Sequence, residues 1–134
     1  MSATTSATRE TIDRYVDAWK RGDVGGMVDC YGDDFTLHYF GKSPLAGDHV
    51  GRPAALAALG KASVSTGRKL VEVHDVLVSD DHAVVMVKER FDHGGKTLEV
   101  SRVFVYHTQD GKLSECWLYD DDQRAVDEFW SATP

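Results

Sequence analysis

The chain has 134 residues, with a hydrophobic fraction of 42% and a charged fraction of 28%, which is the composition of one soluble globular domain. Its formal net charge is -7, and this argues against a nucleic acid or an anionic membrane as partner, because both require clustered Lys and Arg. We therefore expect neither nucleic acid nor membrane among its partners.

Cysteine content and the first residues indicate the compartment. Cys30 and Cys116 are too few for a disulfide framework, and neither lies in a Cys-x-x-Cys pair. We interpret both as buried thiols in a reducing compartment. The N-terminal segment lacks the basic start and apolar run of a signal peptide, and no apolar stretch approaches the length of a membrane span. These features predict a cytoplasmic protein.

Helical spacing of apolar residues dominates the start of the chain. Residues 1–7 are rich in Ser, Thr and Ala and are predicted to be disordered, with Ser6 or Thr8 capping the helix that follows. Gly22 ends this helix, and Asp23 is placed to cap a second one. The stripes of the two helices are Ile12, Tyr15, Val16 and Trp19, then Val24, Met27, Val28 and Tyr31.

A strand and a third helix complete the first half. Residues 35–40 read Phe-Thr-Leu-His-Tyr-Phe, and this aromatic and β-branched content predicts a strand. Residues 41–51 are rich in Gly and polar residues and are predicted to form a loop. Pro53 stands at a favourable first helical position, and the helix that it opens is expected to end near Ser65.

The second half alternates like an antiparallel meander. Strands are predicted over 69–78, 82–91, 97–108 and 112–120, with turns between them. A short tail helix follows from Asp122, with Ala125, Val126 and Phe129 inward. The chain shows neither repeat nor linker, so we predict one domain over residues 1–134.

Helices followed by antiparallel strands indicate the α+β class. A long curved antiparallel sheet wrapped around N-terminal helices makes a cone that is open at one end. Tyr15 and Trp19 lie on the first helix, inside the predicted cone. An open cone of this kind is a ligand cavity.

Four sequence motifs carry a family resemblance, which covers nearly the whole chain from Arg9 onward. The chain resembles the SnoaL-like polyketide cyclases and ketosteroid isomerases of the nuclear-transport-factor-2-like superfamily. The resemblance implies the cone fold, chemistry without cofactor or metal, and a homodimer across the convex sheet face. The motifs are Arg-Tyr-Val-Asp-Ala-Trp-Lys-Arg-Gly-Asp (14–23), Tyr-Gly-Asp-Asp (31–34), Ser-Pro-Leu-Ala-Gly-Asp-His-Val-Gly-Arg (43–52) and Asp-Gly-Lys-Leu-Ser-Glu-Cys-Trp (110–117).

The ketosteroid isomerase pattern is kept only in part. Its oxyanion-stabilising Tyr corresponds to Tyr15. Its general-base Asp corresponds to Tyr39, with His38 beside it, and its second acid corresponds to Val103 or Phe104. Both carboxylates of that pattern are therefore missing.

The cyclase pattern places its base at Leu118, and Asp120 lies two residues further on the same strand face. Asp120 is a candidate base if that face turns inward, because an apolar rim would raise its basicity. The alternative is that Asp120 opens a solvated acidic run before the tail helix. His38 is the second candidate base, since imidazole titrates near neutral pH, but strand alternation puts it opposite Tyr39.

Other polar residues have structural alternatives. Glu89 and Arg102 lie mid-strand, where an ion pair is the default interpretation and a polar anchor for a ligand is the alternative. The histidines have no metal-binding spacing, so we expect no metal site. The predicted ligand-binding residues are Trp19, Leu37, Tyr39, Phe40, Arg102, Phe104, Cys116 and Leu118.

Three functions remain open at this point. The first is a cofactor-independent enzyme that performs proton transfer on a small hydrophobic carbonyl compound, with Tyr15 as the donor and Asp120 or His38 as the base. The second is a non-catalytic ligand-binding or dimerisation module. The third is an epoxide hydrolase, which would need an Asp-Arg-Asp arrangement holding a water, and Arg102 with Asp120 supplies two of these three groups.

Overall fold

One curved sheet provides the concave face on which the helices pack. The computed structural model describes the backbone of residues 2–131 and their side chains except at 64, 65 and 131. No helix within this part of the chain is both long and apolar enough to cross a bilayer. The elements are α1 (Ala3–Arg21), α2 (Val24–Asp29), β1 (Tyr31–Tyr39), β2 (Gly47–His49), α3 (Arg52–Thr66), β3 (Lys69–Val78), β4 (His82–His93), β5 (Lys96–Gln109), β6 (Lys112–Asp120) and α4 (Gln123–Ser131).

The strand order is β2-β1-β6-β5-β4-β3. Strands β3 to β6 form the antiparallel meander that the sequence predicted. Strand β1 joins β6 in parallel, which the sequence did not predict. Strand β2 falls within the predicted loop and pairs with Leu37–Tyr39 of β1. The α+β cone with the sheet wrapped around the N-terminal helices is thus confirmed.

Strand alternation defines the inner face of the sheet. Successive inward residues of β4 and β5 are buried, while their neighbours are more exposed. The central position of β5, between β4 and β6, agrees with its apolar run at 103–106. The buried inward residues of these two strands are Ala83, Val85, Val87, Glu89, Phe91, Val100, Arg102, Phe104, Tyr106 and Thr108.

Helix α1 begins earlier than the sequence indicated. Ser2 is its N-cap, and the Ser2 hydroxyl accepts a hydrogen bond from the Thr5 amide at 3.1 Å. The Asp80 carboxylate in the β3–β4 turn accepts from the Ser2 and Thr5 hydroxyls. Residues 3–7 are therefore helical instead of disordered. The sequence pattern alone does not show that Ser2 and Thr5 have Asp80 as a hydrogen-bond partner far along the chain.

Helix α4 covers the narrow end of the cone. The Asp122 carboxylate accepts from the Ala125 amide at 3.0 Å, and Val126 and Trp130 are buried. The Trp130 ring lies 5.6 Å from the Phe91 ring on the inner face of β4. This packing leaves the opposite end of the inner face to the cavity.

Two glycines of α3 provide a matched stability test. Gly67 is the C-cap with φ 54°, while Gly60 lies inside the helix, and a Cβ at either position would meet nothing within 4 Å. We expect Gly67→Ala to lower the free energy of unfolding by about 1 kcal/mol, because the left-handed conformation strains a Cβ. Gly60→Ala should raise it by about 0.5–1 kcal/mol. Urea unfolding of both variants measures this, and equal effects would contradict the assigned conformations.

Candidate functional site

A cavity of about 510 Å³ lies between the concave sheet and helices α1 to α3. Its volume falls in the usual range for small-molecule sites. Four lining residues are also exposed and mark the mouth between the α1–α2 turn and α3. These mouth residues are Gly22, Val24, Gly60 and Ser63, and the apolar walls include Trp19, Met27, Val28, Phe35, Leu37, Leu56, Leu59, Leu70 and Phe104.

Three phenol groups meet at the cavity wall, and we call them the tyrosine cluster: Tyr15 of α1, Tyr31 of β1 and Tyr106 of β5. The Tyr15 and Tyr31 hydroxyls are hydrogen bonded at 2.6 Å, and the Tyr106 hydroxyl donates to Tyr15 at 3.5 Å. The Tyr15 ring packs edge-on against both partners, at 5.5 Å and 5.4 Å. Tyr15 is therefore the central member of the cluster.

One hydroxyl proton of the tyrosine cluster is left over. Three hydroxyls supply three protons, whereas two hydrogen bonds consume two of them. Tyr106 uses its own proton, so the spare one belongs to Tyr31 or Tyr15, depending on which of them donates to the other. It has no acceptor among the described residues. A ligand oxygen at the cluster would receive this proton.

The tyrosine cluster stays protonated at neutral pH. Burial raises the pKa of Tyr15 to about 12, although its hydrogen bonds with Tyr106 and Tyr31 counter this effect. Burial also raises the pKa of Tyr31 and of Tyr106 well above the ordinary value. Burial likewise raises the pKa of the Cys116 thiol, which lines the same wall. The cavity therefore presents hydrogen-bond donors and no anionic nucleophile at this end.

Arg68 and Glu89 bring charge to the cavity. The Arg68 guanidinium donates to both Glu89 oxygens, from Nε at 2.6 Å and from Nη2 at 3.0 Å. Its Cζ lies 5.8 Å from the centre of the Trp19 ring, a cation–π geometry. Burial disfavours the charged form of Arg68, but Glu89 outweighs burial and raises its pKa. Glu89 is the one carboxylate among the described lining residues.

The ion pair continues into the closed end of the cone. Arg102 donates from Nη1 to Glu89 at 3.2 Å, and it donates to both Asp120 oxygens at 2.6 Å and 3.2 Å. Its Nη2 also donates to the Tyr39 hydroxyl at 2.9 Å. We call Arg68, Glu89, Arg102 and Asp120 the ion chain. The pair of Glu89 and Arg102, which was the default interpretation of the sequence, is present.

Asp120 faces inward, but it does not line the cavity. The side chain is 1% exposed, and both oxygens are engaged by Arg102. Burial raises its pKa, and Arg102 opposes that shift. Asp120 lies beyond the cavity wall together with Arg102, Tyr39 and Leu118, which were predicted to bind ligand. These inward side chains fill the closed end, because Asp120 and Tyr39 are hydrogen bonded to Arg102 there.

His38 and Phe40 lie on the convex face, outside the cavity. The His38 ring stacks on Trp117 at 5.4 Å and is hydrogen bonded to Asp48 at 2.7 Å and to Glu115. Phe40 is 39% exposed and stacks on Tyr119 at 4.8 Å. The strand alternation that set His38 opposite Tyr39 is thus observed, and it places His38 away from the cavity. The homodimer across this face stays a prediction.

The cavity includes five predicted site residues, Tyr15, Trp19, Leu37, Phe104 and Cys116.

Sequence reasoning missed other members of the site. Tyr31 was assigned to the stripe of α2, but it opens β1 and reaches Tyr15. Tyr106 could have been found from Phe104, because residues two apart share a strand face. Arg68 follows the Gly67 cap and carries no pattern of its own. For Glu89 the sequence indicates an ion pair by default and a polar anchor for a ligand as the alternative, but it does not indicate a base.

No group of three or more His, Cys, Asp or Glu side chains within the described part of the chain is arranged to hold a metal ion.

The comparisons with known proteins agree with this geometry. Residues 12–116 match the SnoaL-like domain family. The chain belongs to the SnoaL-like family. The resemblance of its motifs to this family is therefore confirmed.

Relatives of this SnoaL-like domain cover nearly its whole length. An uncharacterized protein of Mycobacterium tuberculosis is 28% identical over 130 residues, 96% of this chain and 99% of the relative. The structure of Bal32a, from a soil-derived mobile gene cassette, superposes with a TM-score of 0.86 at 31% identity and covers 95% of this chain and 98% of Bal32a. A protein described as a SnoaL-like polyketide cyclase from Jannaschia sp. CCS1 gives a TM-score of 0.77, covering 100% and 98% of the two chains. At 20% identity, that last similarity shows the shared fold alone.

The ion chain predicts a large effect on stability. Arg102→Met leaves Asp120 buried without a cation and Glu89 with Arg68 alone, so we expect a loss of about 3–5 kcal/mol in unfolding free energy. Arg124→Met is the matched control, since the Arg124–Glu128 pair is 89% and 68% exposed, and it should change stability by less than about 0.5 kcal/mol. Urea unfolding measures both. Similar losses in the two variants would contradict the assigned role of Arg102.

His38 predicts a pH-dependent stability. Burial lowers its pKa, but the hydrogen bonds to Asp48 and Glu115 outweigh burial, and the net shift is upward. A raised pKa in the folded state stabilises the fold fully below the unfolded pKa of about 6.5, and this contribution is lost as pH rises through the folded pKa. His38→Gln should therefore destabilise the protein more at pH 5.5 than at pH 9.

The matched control is His74→Gln, because the His74 side chain is 38% exposed and its carboxylate contact is longer, at 3.5 Å. Urea unfolding at the two pH values compares the variants. The assignment fails if the two replacements have the same pH dependence.

Proposed function

We propose that this SnoaL-like protein binds a small, mainly apolar carbonyl compound in the cavity and acts on it by proton transfer without a cofactor. The tyrosine cluster carries this proposal, because it offers one unpaired hydroxyl proton inside an apolar cavity. A donor preorganised in a low-dielectric site stabilises negative charge that develops on a carbonyl oxygen. Chemistry of this kind acidifies the carbon next to the carbonyl.

Glu89 is the group that we assign as proton acceptor. It lines the cavity as a carboxylate, whereas Asp120 and His38 are engaged elsewhere. Tyr15 or Tyr31 would donate to the ligand oxygen, and Glu89 would take the proton from the neighbouring carbon. The atoms balance as an enolisation: the C–H bond breaks, and the electron pair moves to the oxygen at the tyrosine cluster. Isomerisation, cyclisation and dehydration all proceed through such an enol.

A non-catalytic binding module is the second candidate, and one observation favours it. Both Glu89 oxygens accept hydrogen bonds from guanidinium groups, so neither oxygen is without a partner inside the protein. The epoxide hydrolase hypothesis receives less support. Glu89, Arg102 and Asp120 do form an acid-Arg-acid row, but two of its three members lie beyond the cavity wall, away from a bound water or ligand.

Exchange of α-protons tests the proposed function without knowledge of the natural substrate. We expect the protein to accelerate deuterium incorporation next to the carbonyl of 4-phenylcyclohexanone in D₂O, followed by proton NMR. Tyr15→Phe should slow this exchange by about 10²-fold or more, since one preorganised donor is worth about that factor. Glu89→Gln should abolish the acceleration.

Tyr119→Phe is the matched control, because Tyr119 is 46% exposed on the convex face and its loss should leave exchange unchanged. Circular dichroism verifies that each variant is folded. Calorimetric binding of the ketone without exchange would favour the binding module. Exchange that survives Tyr15→Phe unchanged would remove Tyr15 from the mechanism.

A further inference from the structure

Arg68 has hydrogen-bonding capacity that the fold does not use. A guanidinium carries five N–H protons, and Glu89 accepts two of those of Arg68, one from Nε and one from Nη2. The other three, which include both protons of Nη1, have no acceptor among the described residues. Arg68 lines the cavity, and its side chain is 12% exposed. The free edge of this guanidinium is therefore available to a ligand.

The tyrosine cluster and Arg68 are two separate donor sites of one cavity. Both lie against the same indole: the Tyr15 ring is 6.0 Å from the Trp19 ring, and the Arg68 Cζ is 5.8 Å from it. The cavity wall beside this indole is apolar, with the Phe104 ring at 5.2 Å from the Trp19 ring. A flat hydrophobic body along this wall can bring one oxygen to each donor site.

Charge balance decides which kind of ligand oxygen can accept a hydrogen bond from Arg68. The ion chain holds two cations and two carboxylates, with side-chain exposures of 12% at Arg68 and 1% or less at the other three. Each guanidinium already has a carboxylate partner. A ligand carboxylate would add a fifth, uncompensated charge beside these largely buried groups, and that is costly. A neutral carbonyl or hydroxyl oxygen accepts the same hydrogen bonds without disturbing the balance.

We propose that the ligand is a neutral compound with two acceptor oxygens joined by an apolar ring system, one oxygen at the tyrosine cluster and the other at the free edge of Arg68. This inference rests on the proposed function, and it adds the second recognition point and the exclusion of anionic ligands. Diketones and keto-esters belong to this class.

Three matched probes test the inference by isothermal titration calorimetry. The first is 4-phenylcyclohexanone, with one oxygen. The second is 4-(4-acetylphenyl)cyclohexanone, which adds a neutral acceptor, and the third is 4-(4-oxocyclohexyl)benzoate, which adds an anion. We expect the acetyl compound to bind about tenfold more tightly than the parent, as for a hydrogen bond to a charged donor. The benzoate should bind no more tightly than the parent.

Variants assign the gain to Arg68. Arg68→Met should remove the advantage, so that the ratio of the affinities of the acetyl compound and the parent ketone falls from about tenfold to about one. Arg68→Met leaves Glu89 with Arg102 as its only cation, which could impair folding. The double variant Arg68→Met/Glu89→Gln avoids this problem, because it removes one cation and one anion together. It should give the same result. Tyr15→Phe should weaken all three probes by a similar factor and leave their ratios unchanged.

The outcomes separate the two proposals. If none of the probes binds, or if Tyr15→Phe weakens none of them, the proposed function fails and this inference falls with it. If the probes bind through Tyr15 but the acetyl group gives no gain, only the inference is overturned. A gain that persists in both Arg68 variants overturns it as well. Tightest binding by the benzoate would contradict the charge-balance reasoning.

Discussion

The buried guanidinium of Arg102 is the constraint around which the interior is arranged. It lies on the inner face of β5 and directly opposite Asp120 of β6 in the strand register. It also contacts Glu89 of β4 and the Tyr39 hydroxyl of β1, so one side chain joins four strands. A charge at this depth is tolerated only with such partners. The same partners fill one end of the cone and leave the other end open.

The open end becomes a site because its donors come from three different elements. Tyr15 belongs to α1, Tyr31 to β1 and Tyr106 to β5, so the cluster exists only when α1 crosses the sheet at the observed position. The hydrogen bonds from Ser2, Thr5 and Thr8 to Asp80 fix the beginning of that helix. Local helix capping and the geometry of the cavity are therefore coupled, although they lie at opposite ends of α1.

The sequence predicts strand faces well and side-chain partners poorly. Alternation alone set His38 opposite Tyr39 and put Asp120 on one strand face with Leu118, and the structure agrees on both. Whether that face turns inward stayed open in the sequence, and the structure shows that it does. The same alternation does not predict that Arg102 donates to both Asp120 oxygens, because that contact depends on the register between β5 and β6. The parallel pairing of β1 with β6 is also a long-range event, and it is what brings Leu37 opposite Cys116 in the cavity wall.

Charge bookkeeping links the ion chain to the proposed chemistry. A resting site with two cations and two carboxylates is neutral, and a neutral ligand keeps it so. When Glu89 takes a proton, one guanidinium charge is left uncompensated at the same moment as negative charge develops on the ligand oxygen at the tyrosine cluster. The two new charges are opposite and share one low-dielectric cavity, so they attract each other more strongly than they would in water. In the proposed reaction, the arginine partners of Glu89 would therefore stabilise the enolate on the ligand.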